Sequence, residues 1–207
     1  MDSLRILIVD DHPLFRSGMT GLLKTTRDMQ VVGAAVDGNQ AISMAATLQP
    51  DVILMDLHLP GMSGIEATRR ILQANSNIRI LVVTMFEDEH SIFTALRAGA
   101  HGYMLKDADE DELLQAIRAV GSGEAIFSPS IARRLLNFFS AVQLAPEAQT
   151  IPALTEQERE VLRLIAQGDN TTDITRQSGL TPKMVANHTS SILKKLQTTD
   201  KVTTTDM

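Results

Sequence analysis

Short apolar runs and amphipathic stretches alternate five times over the first 122 residues, and this alternation restricts the fold more than any other feature of the chain. Residues 4–9, 52–55, 78–83 and 102–105 are nearly uninterrupted in apolar side chains, and residues 31–35 form a weaker run. Strands covered on both faces read this way, whereas half-solvated strands alternate apolar with polar. The stretches 13–24, 39–48, 64–73, 89–97 and 109–120 instead repeat apolar residues every three or four positions, the period of a helix with one buried stripe. Parallel strands need long crossovers, and helices supply them. The pattern predicts a doubly wound α/β unit over residues 1–122, a five-stranded parallel sheet with helices on both faces.

A different organisation follows. Gly121-Ser122-Gly123 ends the last helical pattern, and Ser128-Pro129 places a capping residue before a proline suited to a first helical turn. Ile131, Leu135, Phe138 and Phe139 mark one side of a short helix expected to end near Ser140. Residues 140–153 hold one charge, two prolines and no periodicity, so residues 123–153 read as a linker carrying one short helix. Thr155-Glu156-Gln157-Glu158 is a capping box opening a helix to about Gln167. Asn170 or Thr171 caps a second helix to Ser178, Gly179 supplies a left-handed turn, and Thr181-Pro182 starts a third helix to Leu196. Residues 154–207 are thus predicted to be a smaller all-α domain with helix-turn-helix spacing.

Composition excludes several classes. With no cysteine, disulfide scaffolds, thiolate metal sites and cysteine nucleophiles are impossible. The N-terminal apolar run ends in two aspartates, unlike a signal peptide, and no run approaches the roughly 18 residues of a spanning helix. No membrane association and a cytoplasmic location are expected. The net charge of −6 conceals a division. Residues 1–150 carry 12 Lys/Arg against 18 Asp/Glu, while residues 151–207 carry 7 of each. Residues 174–199 lack any acid yet contain Arg176, Lys183, Lys194 and Lys195, a local charge suited to phosphates.

Ligands of open α/β sheets gather beyond the carboxyl ends of the strands. Polar groups of this chain collect there: Asp10 and Asp11 after the first strand, Asp56 after the third, Thr84 after the fourth and Lys106 after the fifth. Converging carboxylates repel unless a cation lies among them, and oxygen donors without cysteine or paired histidine favour Mg²⁺. An aspartate beside Mg²⁺ can attack phosphorus to form an acyl phosphate, and Lys106 and Thr84 are of the types that stabilise phosphoryl oxygens.

The segments Leu7-Ile8-Val9-Asp10-Asp11-His12-Pro13, Leu54-Met55-Asp56-Leu57-His58-Leu59-Pro60-Gly61-Met62-Ser63-Gly64, Val82-Val83-Thr84 and Gly102-Tyr103-Met104-Leu105-Lys106 resemble a response-regulator receiver domain of flavodoxin-like fold. The run from Leu154 to Gly168 resembles the opening of a LuxR-type helix-turn-helix. Together they are similar to the NarL/FixJ family of two-component response regulators. The resemblance implies that Asp56 is the phosphoacceptor and that Asp10 and Asp11 bind Mg²⁺ with the backbone carbonyl of His58. It further implies that Lys106 binds the phosphoryl group, that Thr84 turns its hydroxyl toward it, and that Tyr103 is an aromatic switch. A sensor histidine kinase as donor, promoter DNA as target and a phosphorylation-dependent homodimer follow by the same resemblance. No enzymatic activity beyond self-catalysed phosphorylation and dephosphorylation is implied.

In the third helix of the second domain, Lys183, Asn187, Ser190 and Lys194 share one face and are the expected DNA contacts. Residues 151–207 have no aromatic side chain, which disfavours base stacking on single strands. The chain departs from the family at Met184-Val185-Ala186, where threonine, valine and a basic residue are usual, at Asp173-Ile174-Thr175, and at Ser178. A fourth helix is expected to be absent after Leu196. These departures leave an alternative, a phosphorylation-dependent protein-interaction regulator with weakened or lost DNA binding.

Overall fold

A computed structural model describes residues 3–85, 88–144 and 152–198. The chain divides into two compact units, residues 1–123 and 124–207.

The first unit is built on β1 (Leu4–Val9), β2 (Met29–Ala35), β3 (Val52–Met55), β4 (Arg79–Thr84) and β5 (Gly102–Leu105). Helices α1 (Pro13–Lys24), α2 (Gly38–Leu48), α3 (Gly64–Ala74) and α4 (Glu89–Arg97) make the crossovers, and α5 (Glu110–Gly121) follows β5. All four adjacent pairs among these strands are parallel. The sheet order is β2-β1-β3-β4-β5-β6, the last a two-residue strand, Ile126–Phe127. The sheet thus has six strands where five were predicted, because two residues are too short to show any periodicity. All four residues of β3 are buried, as its unbroken apolar run required. Its neighbour β1 buries its last four residues, so the core runs up to the strand ends where Asp10 and Asp56 stand.

Helices α2, α3 and α4 begin where short polar side chains cap them. Asp37, Ser63 and Asp88 accept hydrogen bonds from the amides of Gln40, Glu66 and Ser91, satisfying donors that an N-terminus leaves open.

The second unit contains α6 (Pro129–Leu144), α7 (Glu156–Gln167), α8 (Thr171–Ser178) and α9 (Pro182–Gln197). Helix α6 extends past Ser140 into the stretch read as linker, and it buries Ile131, Ala132, Leu135 and Phe139. The Arg133 Nε donates to the carbonyl of Ala166 at 2.8 Å, tying α6 to the end of α7. Val161, Leu164, Ile174 and Val185 join α7, α8 and α9 in one core. Left-handed Gly168 and Gly179 end α7 and α8, and the Asn170 and Thr181 side chains cap the next two helices. The expected absence of a fourth helix falls on residues 199–207, outside the described residues.

Candidate functional site

Five polar side chains singled out in the sequence end adjacent strands on one edge of the sheet, and three are essentially sealed from water: Asp10 is 1% exposed, Asp56 3% and Thr84 0%. Asp56 is clamped from both sides. Its Oδ1 accepts from the Leu57 amide at 2.7 Å and the His58 amide at 3.4 Å, and its Oδ2 accepts from the Lys106 Nζ at 2.7 Å. One carboxylate is therefore oriented by its own following turn and by a cation from two strands away.

That turn depends on Gly64. A Cβ there would lie 1.9 Å from the carbonyl oxygen of Asp56 and 2.9 Å from the Leu57 Cα, so only glycine lets α3 begin directly beneath the acceptor. The Gly64 amide donates to the Leu57 carbonyl at 2.9 Å and closes the loop.

Lys106 also stands 2.6 Å from Asp10 Oδ2, with its side chain only 7% exposed. Burial alone would lower its ammonium, but the carboxylates of Asp10 and Asp56 outweigh burial and hold it above the ordinary lysine value. The same ammonium thus bridges Asp10 Oδ2 and Asp56 Oδ2 and neutralises part of their mutual repulsion. Among the described residues, the Thr84 hydroxyl is buried without a partner. Buried polar groups are nearly always satisfied, and an unpartnered hydroxyl at these strand ends marks a place shaped for something further.

Sequence reasoning missed three neighbours. The His12 amide donates to Asp10 Oδ1 at 2.9 Å, and its imidazole Nδ1 lies 2.8 Å from Asp11 Oδ1. Arg16 Nη1 donates to the Asp10 carbonyl at 2.7 Å, and Lys106 Nζ sits 4.7 Å over the ring of Phe15, within cation–π range. His12 directly follows the acid pair and so carried a signal. Phe15 and Arg16 reach the site only because α1 returns beside it.

Asp10, Asp11, His12 and Asp56 offer ligand atoms that all lie within 4.8 Å of one another. Three carboxylates, those of Asp10 and Asp56 buried and that of Asp11 exposed, form an oxygen-rich donor set that fits a small hard dication such as Mg²⁺. His58 is exposed and its backbone is held against Asp56 by the amide contact. Tyr103 is fully buried on β5, opposite Val82 of β4.

On α9, Lys183, Asn187 and Lys194 are exposed, as a nucleic-acid face requires. Ser190 is half-buried, and its Oγ accepts from the Ala125 amide at 3.4 Å. Lys195 is occupied elsewhere: its Nζ donates to Glu158 Oε2 at 2.6 Å and to the Ala153 carbonyl at 2.7 Å. Glu158 Oε1 accepts from Ser191 at 2.7 Å, while Oε2 closes the capping box with the Thr155 amide. Burial would raise the Glu158 carboxyl, but the hydrogen bonds from Lys195, Ser191 and Thr155 and the lysine charge bring it down to about 2.

The family description "Response regulator receiver domain" matches residues 6–118, and "Bacterial regulatory proteins, luxR family" matches residues 152–207. The chain belongs to the LuxR-type response regulators. It is 36% identical over 199 residues to the response regulator protein VraR of Staphylococcus aureus, covering 96% of this chain and 93% of VraR. A LuxR-family two-component response regulator from Aurantimonas sp. SI85-9A1 shares 40% identity and a TM-score of 0.63 over 66% of this chain and 98% of its own. RcsB of Salmonella typhimurium, at 27% identity and a TM-score of 0.62, matches 95% of this chain and 93% of its own. An RcsB structure with two dimers bound to two parallel DNAs matches equally well. This chain is therefore a two-component response regulator that couples a receiver to a LuxR-type DNA-binding domain and acts in transcription regulation. Among the described residues, no helix is long and apolar enough to cross a membrane.

Proposed function

We propose that Asp56 accepts a phosphoryl group from a sensor histidine kinase and that this modification governs binding of promoter DNA by α9. The observation that carries the reading is the double clamp on Asp56: two backbone amides hold Oδ1 while Lys106 holds Oδ2, beside a buried Thr84 hydroxyl with no partner. A carboxylate oxygen attacks the phosphorus of a phosphoimidazole, the P–O bond forms as the P–N bond breaks, and the imidazole leaves with a proton from water. Lys106 neutralises charge on the phosphoryl oxygens, and Thr84 donates its hydroxyl to one of them. Asp10, Asp11, Asp56 and the His58 carbonyl would hold Mg²⁺, which when bound supplies charge neutralisation for the transfer. Hydrolysis of the acyl phosphate by water returns inorganic phosphate and resets Asp56, so the chain's only chemistry is its own phosphorylation and dephosphorylation.

Rotation of the Thr84 hydroxyl toward the phosphoryl group alters packing at β4 beside Tyr103 of β5, which serves as the aromatic switch. The phosphorylated form pairs as a homodimer on double-stranded DNA, as the DNA-bound dimers of RcsB support. Lys183 and Lys194 meet phosphates, while Asn187 reaches base edges in the major groove. A histidine kinase and promoter DNA as partners support a cytoplasmic location.

The test is labelling of wild type and Asp56→Asn by a small phosphodonor with Mg²⁺, followed by binding to a labelled promoter fragment. Wild type labels and binds more tightly when labelled, and the variant does neither. Equal labelling of both proteins removes Asp56 from the role, and specific binding by neither form supports the protein-interaction reading instead.

A further inference from the structure

We infer that Met184 reads the 5-methyl group of a thymine in the major groove, and so selects DNA sites in which that thymine lies within about two base pairs of an adenine met by Asn187. The inference rests on the proposed reading of α9 as the DNA-facing helix and adds the side chain that sets part of its sequence preference.

Five residues of α9 are exposed: Pro182, Lys183, Met184, Asn187 and Lys194. Four further polar side chains along the helix are committed within the second unit. Thr189 donates to the Val185 carbonyl, Ser190 accepts from the Ala125 amide, and Ser191 and Lys195 both donate to Glu158. Of the exposed five, Lys183 and Lys194 carry the charge that phosphates take, and Asn187 matches the N6 and N7 edge of adenine. Met184 suits neither role. It is 40% exposed, and among the described residues of the second unit it is the only large apolar side chain left so open. A lone exposed methionine elsewhere on a surface would mean little. This one stands in the first turn of α9 between Lys183 and Asn187, and the N-terminal residues of a recognition helix are those that meet base edges.

The backbone beneath Met184 is fixed. The Thr181 hydroxyl accepts from its amide at 3.3 Å, Pro182 occupies the first helical turn, and the adjacent Val185 is buried with Val161, Leu164 and Ile174. The unbranched thioether above that anchor conforms to whatever surface it meets.

Chemistry then sets the preference. In the major groove every base presents donors or acceptors, and thymine alone of the four adds a methyl group. A thioether laid over N7, O6 or N4 strips water from a polar group and returns no hydrogen bond, whereas over the methyl it buries apolar area. Met184 and Asn187 are three residues apart, about 4.5 Å along the helix axis against about 3.4 Å per base pair, so the bases they meet are neighbours or next neighbours.

The experiment selects sites for the full chain from a randomised duplex pool, with and without a small phosphodonor. Each thymine of the selected site is then replaced by uracil, which removes only the methyl group, and wild type, Met184→Ala and Met184→Leu are titrated against every duplex. In each half-site one uracil, within about two base pairs of an adenine, should weaken wild type about fourfold, the factor that burial of one methyl group corresponds to. Met184→Ala should bind that duplex and its thymine parent equally, while Met184→Leu keeps the preference. Alanine favours the helix, and a misfolded variant would bind both duplexes less well without equalising them, so the ratio reports the contact itself. A thymine preference that Met184→Ala leaves intact, or a uracil scan that nowhere weakens wild type, overturns the inference and leaves α9 as the DNA-facing helix. Cytosine and 5-methylcytosine at the same position test the source of the methyl group: tighter binding to 5-methylcytosine than to thymine overturns the assignment to thymine. A pool from which wild type retains no sequence overturns the reading of α9, and this inference with it.

Discussion

Glu158 provides the sharpest test of how the second unit holds its DNA-facing helix. The side chain is 3% exposed and links three elements: it closes the cap of α7, accepts Ser191 of α9 and pairs with Lys195, which also holds the Ala153 carbonyl. Its carboxyl falls from the ordinary 4.5 to about 2. At about 1.36 kcal/mol per unit, ionised Glu158 contributes on the order of 3 kcal/mol at neutral pH, an upper figure. Because the folded value lies below the unfolded one, the unfolded chain binds more protons between pH 2 and 4.5. The contribution is complete above about pH 4.5 and disappears as pH falls through 2.

Glu158→Gln keeps the shape and removes the charge, stranding Lys195 in a half-buried site. Urea titration of the full chain, followed through amide NMR peaks of α9 to isolate this unit, should show a loss of about 2–3 kcal/mol at pH 7. At pH 3 the difference between wild type and variant should shrink to about half. The DNA affinity of phosphorylated protein should fall with it, because the contact orients α9 against α7. A difference that is the same at pH 7 and pH 3, or below about 0.5 kcal/mol at pH 7, refutes the assignment of charge as the cause.

Two further outcomes follow from the first unit. Gly64→Ala should cost about 1–3 kcal/mol in urea and slow labelling of Asp56 several-fold, since its Cβ meets the Asp56 backbone rather than a movable side chain; unchanged labelling kinetics would show that the turn is not held as described. His101 is pushed down to about 4 by burial and by the Arg79 charge beside it, so it stays neutral in the folded state while the unfolded chain takes a proton near 6.5. Receiver stability should therefore decline as pH drops from about 6.5 to 4, and His101→Gln should flatten that slope in urea titrations across the range.

What was legible in the sequence and what was not divides by range along the chain. The strand ends at Asp10, Asp56, Thr84 and Lys106 could be placed because each follows an apolar run whose period is local. The capping box at Thr155 and Glu158 was equally legible, because its two partners lie three residues apart and hydrogen-bond reciprocally. Pairings between distant residues were not legible. Ser190 shares a helix face with Lys183 and Asn187, yet the backbone of Ala125, 65 residues earlier, uses its hydroxyl. Lys195 counts as a free cation until Glu158, 37 residues earlier, is found beneath it. The length of α6 was underestimated for a similar reason: a stretch with little charge and weak periodicity continues as helix because Arg133 and four buried apolar side chains fix the helix it extends.

The same distinction limits how strongly residues 174–198 can grip DNA through charge. Of the four cations between residues 174 and 199, Lys195 is bound to Glu158, and Arg176 lies 3.1 Å from Asp173. The exposed Arg176 pair is weak and can open, but Asp173 travels with it and cancels its charge toward a phosphate. Lys183 and Lys194 remain. Each neutralised phosphate contributes about 0.9 to the slope of log affinity against log salt, so α9 supplies about −2 per protomer and about −4 for a dimer. Alanine at Lys183 or at Lys194 should each flatten the dimer slope by about 2, since both protomers lose the contact. Lys195→Ala should instead weaken binding through the fold of α9 with the slope nearly unchanged. Titrating a labelled duplex at several salt concentrations measures all three. A wild-type slope near −8 that alanine at Lys195 and at Arg176 each flattens by about 2 would mean that both cations leave their acids to reach the backbone, and the pairing described for the second unit would not survive contact with DNA.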